Sequence, residues 1–332
     1  MTEATVSENV VVVEGLKKYY RLRTGFVDKM FMKEQKYVKA VDDVSLEIGE
    51  RKTFGLVGES GCGKSTLGRC ILRLEPITDG TITVFGQDIG GLDENGLRHF
   101  RKRAQMIFQN PYSTLPPHKT IGRMLKEVVD YHRVVDGKEA GQYCLSILEQ
   151  VGLDGKFFNS RPKTLSGGQR QRAAIARALA TEPRFIILDE PVTALDISIQ
   201  AQILNLLMRL QEEKGLTYLF IAHDLSVIRH VSDVIGVMYL GKMVEFLPAD
   251  ELGSNSAHPY TRSLMSSSPM LSELFEGEKI RLTGELPSAI DPPQGCRFHT
   301  RCPYCFDRCK KEEPRLKSVG ESHLVSCFLC DR

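Results

Sequence analysis

At 332 residues, the chain is long enough for one large core with one or two smaller units attached. Apolar and charged shares of 42% and 26% are ordinary for a globular protein, and a formal charge of +2 gives no case for nucleic acid as a partner. No apolar run approaches the ~18 residues needed to span a bilayer, and Met1-Thr2-Glu3-Ala4-Thr5 has neither the basic nor the apolar part of a secretory signal. The expectation is a chain kept in the cytosol, reaching a membrane only through a partner.

In chain order, Val10 to Val13 and Leu46 to Ile48 read as short strands, joined by a basic, aromatic connection from Tyr19-Tyr20-Arg21 to Lys36-Tyr37. Lys52 to Val57 is an apolar strand, and a helix with Leu67, Ile71 and Leu72 inward begins near Ser65. Thr81 to Phe85 and Gln105 to Phe108 are further strands, the second ending at Gln109. From Thr120 to Gln150 the pattern turns helical (Met124, Val128 and Val129, then Leu145, Ile147 and Leu148), as expected of a helical insertion in an α/β core. Gln171 to Ala180 is an alanine-rich helix. Ile197 to Lys214 is amphipathic, with Ile199, Ile203, Leu207 and Leu210 in register and Gly215 as its stop. Thr217 to Ala222 and Val234 to Leu240 are strands. Beyond Gly253-Ser254-Asn255-Ser256, the prolines Pro287, Pro292 and Pro293 and a run of cysteines read as an irregular tail. There is no internal repeat.

Gly58-Glu59-Ser60-Gly61-Cys62-Gly63-Lys64-Ser65 fits a phosphate-binding loop at every required position. Its glycines let consecutive backbone N–H groups converge on phosphate oxygens where a Cβ would intrude. The helix behind it offers its positive end. Lys64 is placed for the β- and γ-phosphates and Ser65 for Mg²⁺. Asp189 and Glu190 end the apolar run Phe185 to Leu188; Asp189 suits Mg²⁺, and Glu190 suits the activation of an attacking water. His223 ends the next strand, where it would align the γ-phosphate with Glu190. Gln109 ends another, with an amide for Mg²⁺ or the water.

With Leu165-Ser166-Gly167-Gly168-Gln169 and Thr193-Ala194-Leu195-Asp196, this ordered set resembles the ATP-binding-cassette (ABC) family over residues ~10 to 245. The resemblance implies an α/β P-loop NTPase cassette: a RecA-like core, an antiparallel β subdomain, an inserted α-helical subdomain and a small Cys-rich C-terminal extension. It sets boundaries at 8–252 for the cassette (helical part about 110–180) and 253–332 for the extension. It implies ATP and Mg²⁺ as cofactors, with Ser65, Gln109 and Asp189 toward the metal. Glu190, His223 and Gln109 become catalytic, and Gly58, Glu59, Ser60, Gly61, Cys62, Gly63, Lys64, Ser65 and Thr66 become nucleotide-binding. Ser166, Gly167, Gly168, Gln169 and Asp196 would close on ATP held by a second cassette. Tyr19 is the candidate for an adenine stack, with Tyr20 as the alternative.

Lys39-Ala40-Val41-Asp42-Asp43-Val44-Ser45, Gln105 to Gln109, Ser198 to Asn205 and Gly215 to Val227 are similar to the oligopeptide/dipeptide importer ATPases. His258-Pro259-Tyr260-Thr261 and Gly295-Cys296-Arg297-Phe298-His299 are similar to that group's extension, and the whole most resembles its second, F-type, ATPase subunit. In Ser113-Thr114-Leu115-Pro116-Pro117-His118-Lys119, Pro116 and His118 stand where the group carries asparagine and arginine, on the side that faces the permease. The resemblance implies a motor for peptide import at the cytoplasmic face of the membrane. Its partners would be a second ATPase subunit, two permeases and an extracytoplasmic solute-binding protein. Oligosaccharide or nickel import and a regulatory ATP switch are the alternatives.

The tail has the spacing C-x5-C-x2-C-x3-C-x17-C-x2-C. In a reducing compartment, clustered thiols suit a metal better than disulfides. Resemblance to the extension of the oligopeptide ATPases implies a 4Fe-4S cluster on Cys296, Cys302, Cys309 and Cys327, with Cys305 and Cys330 in excess. Structural zinc, with His299 or His323 as possible ligands, is the alternative.

Overall fold

The computed structural model describes residues 9–22, 35–110, 114–267, 280 and 284–331. The N-terminal residues read for a signal and Ser113 lie outside them. The chain forms two compact units that interleave along the sequence. One holds Gly49–Lys52 and Gly91–Ile221, with the N-terminal residues through Val10; the other holds Val11–Ile48, Thr53–Gly90 and Ala222–Arg332.

The second unit contains the antiparallel sheet expected from the sequence. Strands β1 (Asn9–Arg21) and β2 (Tyr37–Gly49) are much longer than the apolar patches that announced them. Both strands run on into the basic and aromatic residues Tyr19 to Arg21 and Tyr37 to Ala40, most of them half-buried, beyond the alternating apolar positions. Strands β4 (Asp79–Val84) and β5 (Gln87–Asp88) complete the order β2-β1-β4-β5, with Val11 opposite Val84 and Val13 opposite Ile82.

Strand β3 (Thr53–Val57) pairs in parallel with β9 (Val234–Tyr239), and Leu56 lies opposite Gly236. All five residues of β3 are buried, as a strand covered on both faces requires. The helix Leu225–Val231 packs on it so closely that a Cβ on Gly55 would lie 2.6 Å from Ile228 Cγ2. From β9 the sheet continues antiparallel through β10 (Lys242–Pro248) to β12 (His323–Val325) and β11 (Lys317–Gly320). The tail therefore adds two strands to β10, alongside the helices Pro259–Ser267 and Asp307–Lys311. The sequence reading missed this because none of these segments is long or strongly periodic.

In the first unit, β6 (Ala104–Ile107), β7 (Phe185–Asp189) and β8 (Thr217–Ile221) run parallel, with Ile187 opposite both Met106 and Leu219. Every residue of β7 and β8 is buried. Burying Phe185 rather than leaving it in water is worth about 2–3 kcal/mol. The helical part consists of Ile121–His132, Ala140–Gln150 and Gly167–Leu179. Thr120 Oγ1 caps the first of these by accepting from Arg123 N at 3.2 Å. The helix Ile197–Lys214 ends on Gly215 at φ 63°, as its sequence announces.

Candidate functional site

The phosphate loop belongs to the second unit and leaves the buried end of β3. Gly58, Gly61 and Gly63 have φ of 151°, 81° and 111°, a region costly for any residue with a Cβ. At two of them the structure adds a steric reason within the protein itself. A Cβ on Gly58 would lie 2.1 Å from the Met238 carbonyl oxygen, and one on Gly63 would lie 2.0 Å from that of Ala40. These glycines let the loop nest against the protein's own backbone, while Gly61 faces open space. Lys64 is 5% exposed. Its Nζ donates to the carbonyls of Gly58 at 2.7 Å and Glu59 at 3.0 Å, so the ammonium ties the loop together from within. Ser65 and Thr66 occupy the first turn of the helix Lys64–Ile71, whose N-cap, Gly63, makes no side-chain cap hydrogen bond.

Tyr19 lies in the same unit with its hydroxyl on the Asp42 carboxylate. Burial, then that hydrogen bond, pushes the phenol up. Burial also disfavours the Asp42 anion, but Tyr19 and the Arg297 guanidinium outweigh it and hold the carboxyl below its usual range. Lys39 Nζ lies 5.9 Å from the Tyr19 ring centroid, and Lys18 Nζ 4.5 Å from that of Tyr20. His223 is exposed and follows Ala222, whose N–H donates to Leu56 O at 3.2 Å.

The acidic pair lies in the first unit. Asp189, 2% exposed, is the last residue of β7. Glu190 departs from the strand at φ 47°, a left-handed conformation that a non-glycine residue adopts only when its surroundings enforce it. Its N–H donates to Ile221 O at 2.9 Å, which anchors it to β8. Gln109 Nε2 donates to Glu190 Oε2 at 2.7 Å, and Thr193 Oγ1 donates to the same oxygen at 3.2 Å. Two residues 81 positions apart in sequence are thus brought into direct contact. Thr193 joins them, a role the sequence reading did not give it.

Ser166 to Gln169, in the same unit, form a reciprocal capping box. Ser166 N donates to Gln169 Oε1 at 2.9 Å, and Gln169 N donates to Ser166 Oγ at 3.3 Å. The helix therefore starts at Gly167 rather than the expected Gln171. A Cβ on Gly168 would lie 2.7 Å from Ile199 Cγ2, so this glycine is needed for helix contact. Asp196 is the N-cap residue of the helix Ile197–Lys214, and Gln200 Nε2 holds the preceding turn through the carbonyls of Val192 and Leu195.

The cysteine expectation requires correction. Cys296, Cys302, Cys309 and Cys327 line one small cavity with Phe298, His299 and Phe328. Among the described residues, however, no group of three or more His, Cys, Asp or Glu side chains is placed to hold a metal ion. Burial pushes the thiols of Cys296 and Cys327 up to about 12 and that of Cys302 to about 11, favouring the neutral form. His323, the other possible zinc ligand, lies with Nε2 2.9 Å from the Glu245 carboxylate. The 4Fe-4S cluster is therefore not supported, and neither is zinc: sequence spacing brought the thiols close without arranging them as ligands. The same absence does not weigh against Mg²⁺, which binds through nucleotide phosphates and water rather than a dedicated protein cage.

Three tail residues to which the sequence assigns no role reach the surroundings of the phosphate loop. Arg297 contacts the Leu240 carbonyl and Asp42; Tyr260 Oη accepts from Glu59 N; Arg301 pairs with the Glu59 carboxylate.

Comparison with known proteins places these features in a wider group. A sequence profile described as ABC transporter matches residues 41–193, and one described as oligopeptide/dipeptide transporter, C-terminal region, matches residues 244–309. The oligopeptide transport ATP-binding protein AppF of Bacillus subtilis is 48% identical over 332 residues, 99% of each chain. The dipeptide transport ATP-binding protein DppF of Haemophilus influenzae is 45% identical, covering 98% of this chain and 99% of its own. Among solved structures, the dimeric post-hydrolysis state of the ATP-binding cassette MJ0796, bound to ADP and Pi, superimposes with a TM-score of 0.62 at 31% identity. That match covers 72% of this chain and 98% of the other.

Proposed function

The chain belongs to the ABC transporter family, among the ATP-binding subunits of oligopeptide and dipeptide transporters, and on that premise we propose how it works as the ATP-hydrolysing motor of a peptide importer. We read it as the F-type of two paired cassettes, working with two permeases and an extracytoplasmic solute-binding protein. No helix among the described residues is long and apolar enough to cross a membrane. In this reading the permeases hold the chain at the cytoplasmic face. The cassette spans residues 8–252 and the extension 253–332.

In the proposed mechanism, the loop Gly58 to Ser65 and the helix N-terminus after it receive the phosphates of ATP. Lys64 moves from the Gly58 and Glu59 carbonyls to the β- and γ-oxygens. Ser65, Asp189 and Gln109 would hold Mg²⁺ when it is bound, and it would supply charge neutralisation at those phosphates. Tyr19 stacks on adenine. Glu190 takes the proton of the attacking water, and His223 holds the γ-phosphate in line with it. Ser166 to Gln169 and Asp196 serve the nucleotide held by the partner cassette.

The observation that carries hydrolysis, rather than ATP binding alone, is the enforced geometry of Glu190. Two donors fix its carboxylate through one oxygen, and its backbone is held at φ 47°. A passive switch has no need of a strained, aligned carboxylate. Glu190→Gln keeps the shape and removes the base. It is expected to lower hydrolysis on the order of 100-fold or more while ATP still binds. Steady-state phosphate release beside equilibrium binding checks this, and an undiminished rate would remove Glu190 as the base.

A further inference from the structure

Glu59 is the second residue of the phosphate loop, where a carboxylate is an electrostatic liability. The loop gathers an anion of several negative charges, and an opposing charge among its donors weakens that. The structure engages each polar group of Glu59. Its N–H donates to Tyr260 Oη at 2.8 Å, its carbonyl accepts from Lys64 Nζ at 3.0 Å, and both carboxylate oxygens lie 3.0 Å from Arg301 Nη1. The Arg301 and Glu59 side chains are 8% and 24% exposed, so solvent screens this pair far less than a surface pair.

Arg301 is itself held in place. Its guanidinium lies 6.0 Å from the Tyr239 ring centroid. Tyr239 packs edge to face on Tyr260 and Phe298, and the latter two are tilted against each other, with centroids 4.7 to 5.4 Å apart. Tyr239 and Tyr260 are fully buried, and Phe298 is nearly so. The bond to Tyr260 and the pairing with Arg301 thus reach the loop from a rigid aromatic cluster, across 201 and 242 residues of sequence.

We propose that Arg301, in the C-terminal extension, is a positioning residue of the ATP site that neutralises the Glu59 carboxylate. The phosphates then meet the charge of Lys64 unopposed, while Tyr260 fixes the loop's entry. Docking of the extension is then a condition for full ATP affinity. The proposal rests on reading residues 58–65 as the ATP loop.

The test is a double-mutant cycle on the full chain, read as Mg·ATP affinity at low salt. Arg301→Met is expected to weaken binding about tenfold, with cooperative unfolding of the nucleotide-free protein near the wild-type temperature. In a Glu59→Gln background, with no carboxylate left to neutralise, the same substitution is expected to change affinity less than about twofold. Arg301→Lys keeps the charge and is expected to recover most of the binding. Unchanged affinity in Arg301→Met overturns the proposal. So does an equal loss in both backgrounds, because that is the behaviour of a residue needed only for packing. If the methionine variant does not fold, Arg301→Gln carries the same comparison. Failure of the wild-type chain to bind Mg·ATP would instead remove the reading of the loop itself.

Discussion

The molecule has two glycine-rich loops that each open a helix, and they treat their N-terminal donors in opposite ways. At Gly58 to Ser65 the N-cap is a glycine at φ 111° with no side-chain cap, and a lysine crosses the loop to its carbonyls. At Ser166 to Gln169 the N-cap serine and the glutamine three residues on satisfy each other's backbone N–H groups. In the proposed function, the first loop's helix N-terminus faces an outside anion, and Lys64 is the cation that turns from the loop carbonyls toward it. The second spends two donors on itself and offers small residues and a helix dipole. On that reading, a site of the first kind is expected to bind phosphate alone. One of the second kind needs most of the anion's binding supplied elsewhere. This supports an order of events in which ATP occupies the phosphate loop first and a partner's Ser166 segment closes afterward.

The largest expected effect tests the movable cation. Lys64→Met removes the charge meant for the phosphates and also the tie between the Gly58 and Glu59 carbonyls. ATP hydrolysis is expected to fall on the order of 1000-fold and ATP binding to weaken measurably, since the site then faces the phosphates with no side-chain cation of its own. Phosphate release and equilibrium binding on the same preparation check both. Hydrolysis within tenfold of wild type would make the two loops alike in kind and break the contrast.

How much of this was legible follows from sequence distance. The phosphate loop is a contiguous motif, so Lys64 and its glycines could be read directly; that Gly58 and Gly63 also lie against the Met238 and Ala40 carbonyls could not. Gln109 and Glu190 were legible because each ends an apolar run, and parallel strands bring such ends together. The Ser-x-x-Gln pattern of the capping box starts the helix at Gly167, four residues before the alanine-rich run that marks it in the sequence. Arg301, Arg297 and Tyr260 had no role legible in the sequence, although the last two lie within segments similar to the importer extension. They act on residues 242, 255 and 201 positions away, through a tail whose strands and helices are too short to show a period. The cysteines misled for the complementary reason: close spacing in sequence lets thiols line one cavity without making them metal ligands.

The next effect tests the second loop's role toward another subunit. Ser166→Arg puts a long cation where a small residue opens the helix. It is expected to lower turnover of the assembled transporter on the order of 100-fold. Affinity for Mg·ATP at the variant's own phosphate loop is expected to stay within about twofold of wild type. Loss of that affinity would mean the Ser166 segment serves its own subunit's nucleotide.

The smallest effect separates the serine's two possible uses. Ser166→Ala deletes Oγ and leaves the segment small. If the hydroxyl chiefly caps its helix, as its bond to Gln169 N indicates, the loss is one of stability, about 1 kcal/mol, or roughly 2–4 °C in Tm for a unit of this size. Turnover then falls far less than in Ser166→Arg, because the glycines and the helix N-terminus still meet the partner's phosphate. Gln169→Ala breaks the other half of the box and is expected to give a shift of similar size, and the double variant less than the sum, since the two bonds support each other. If Ser166→Ala instead matches Ser166→Arg in lost turnover with no change in Tm, the hydroxyl belongs to the phosphate in the closed state. The capping box would then be what the loop gives up on closing, and its two donors would be reserved in the same way as those of the phosphate loop.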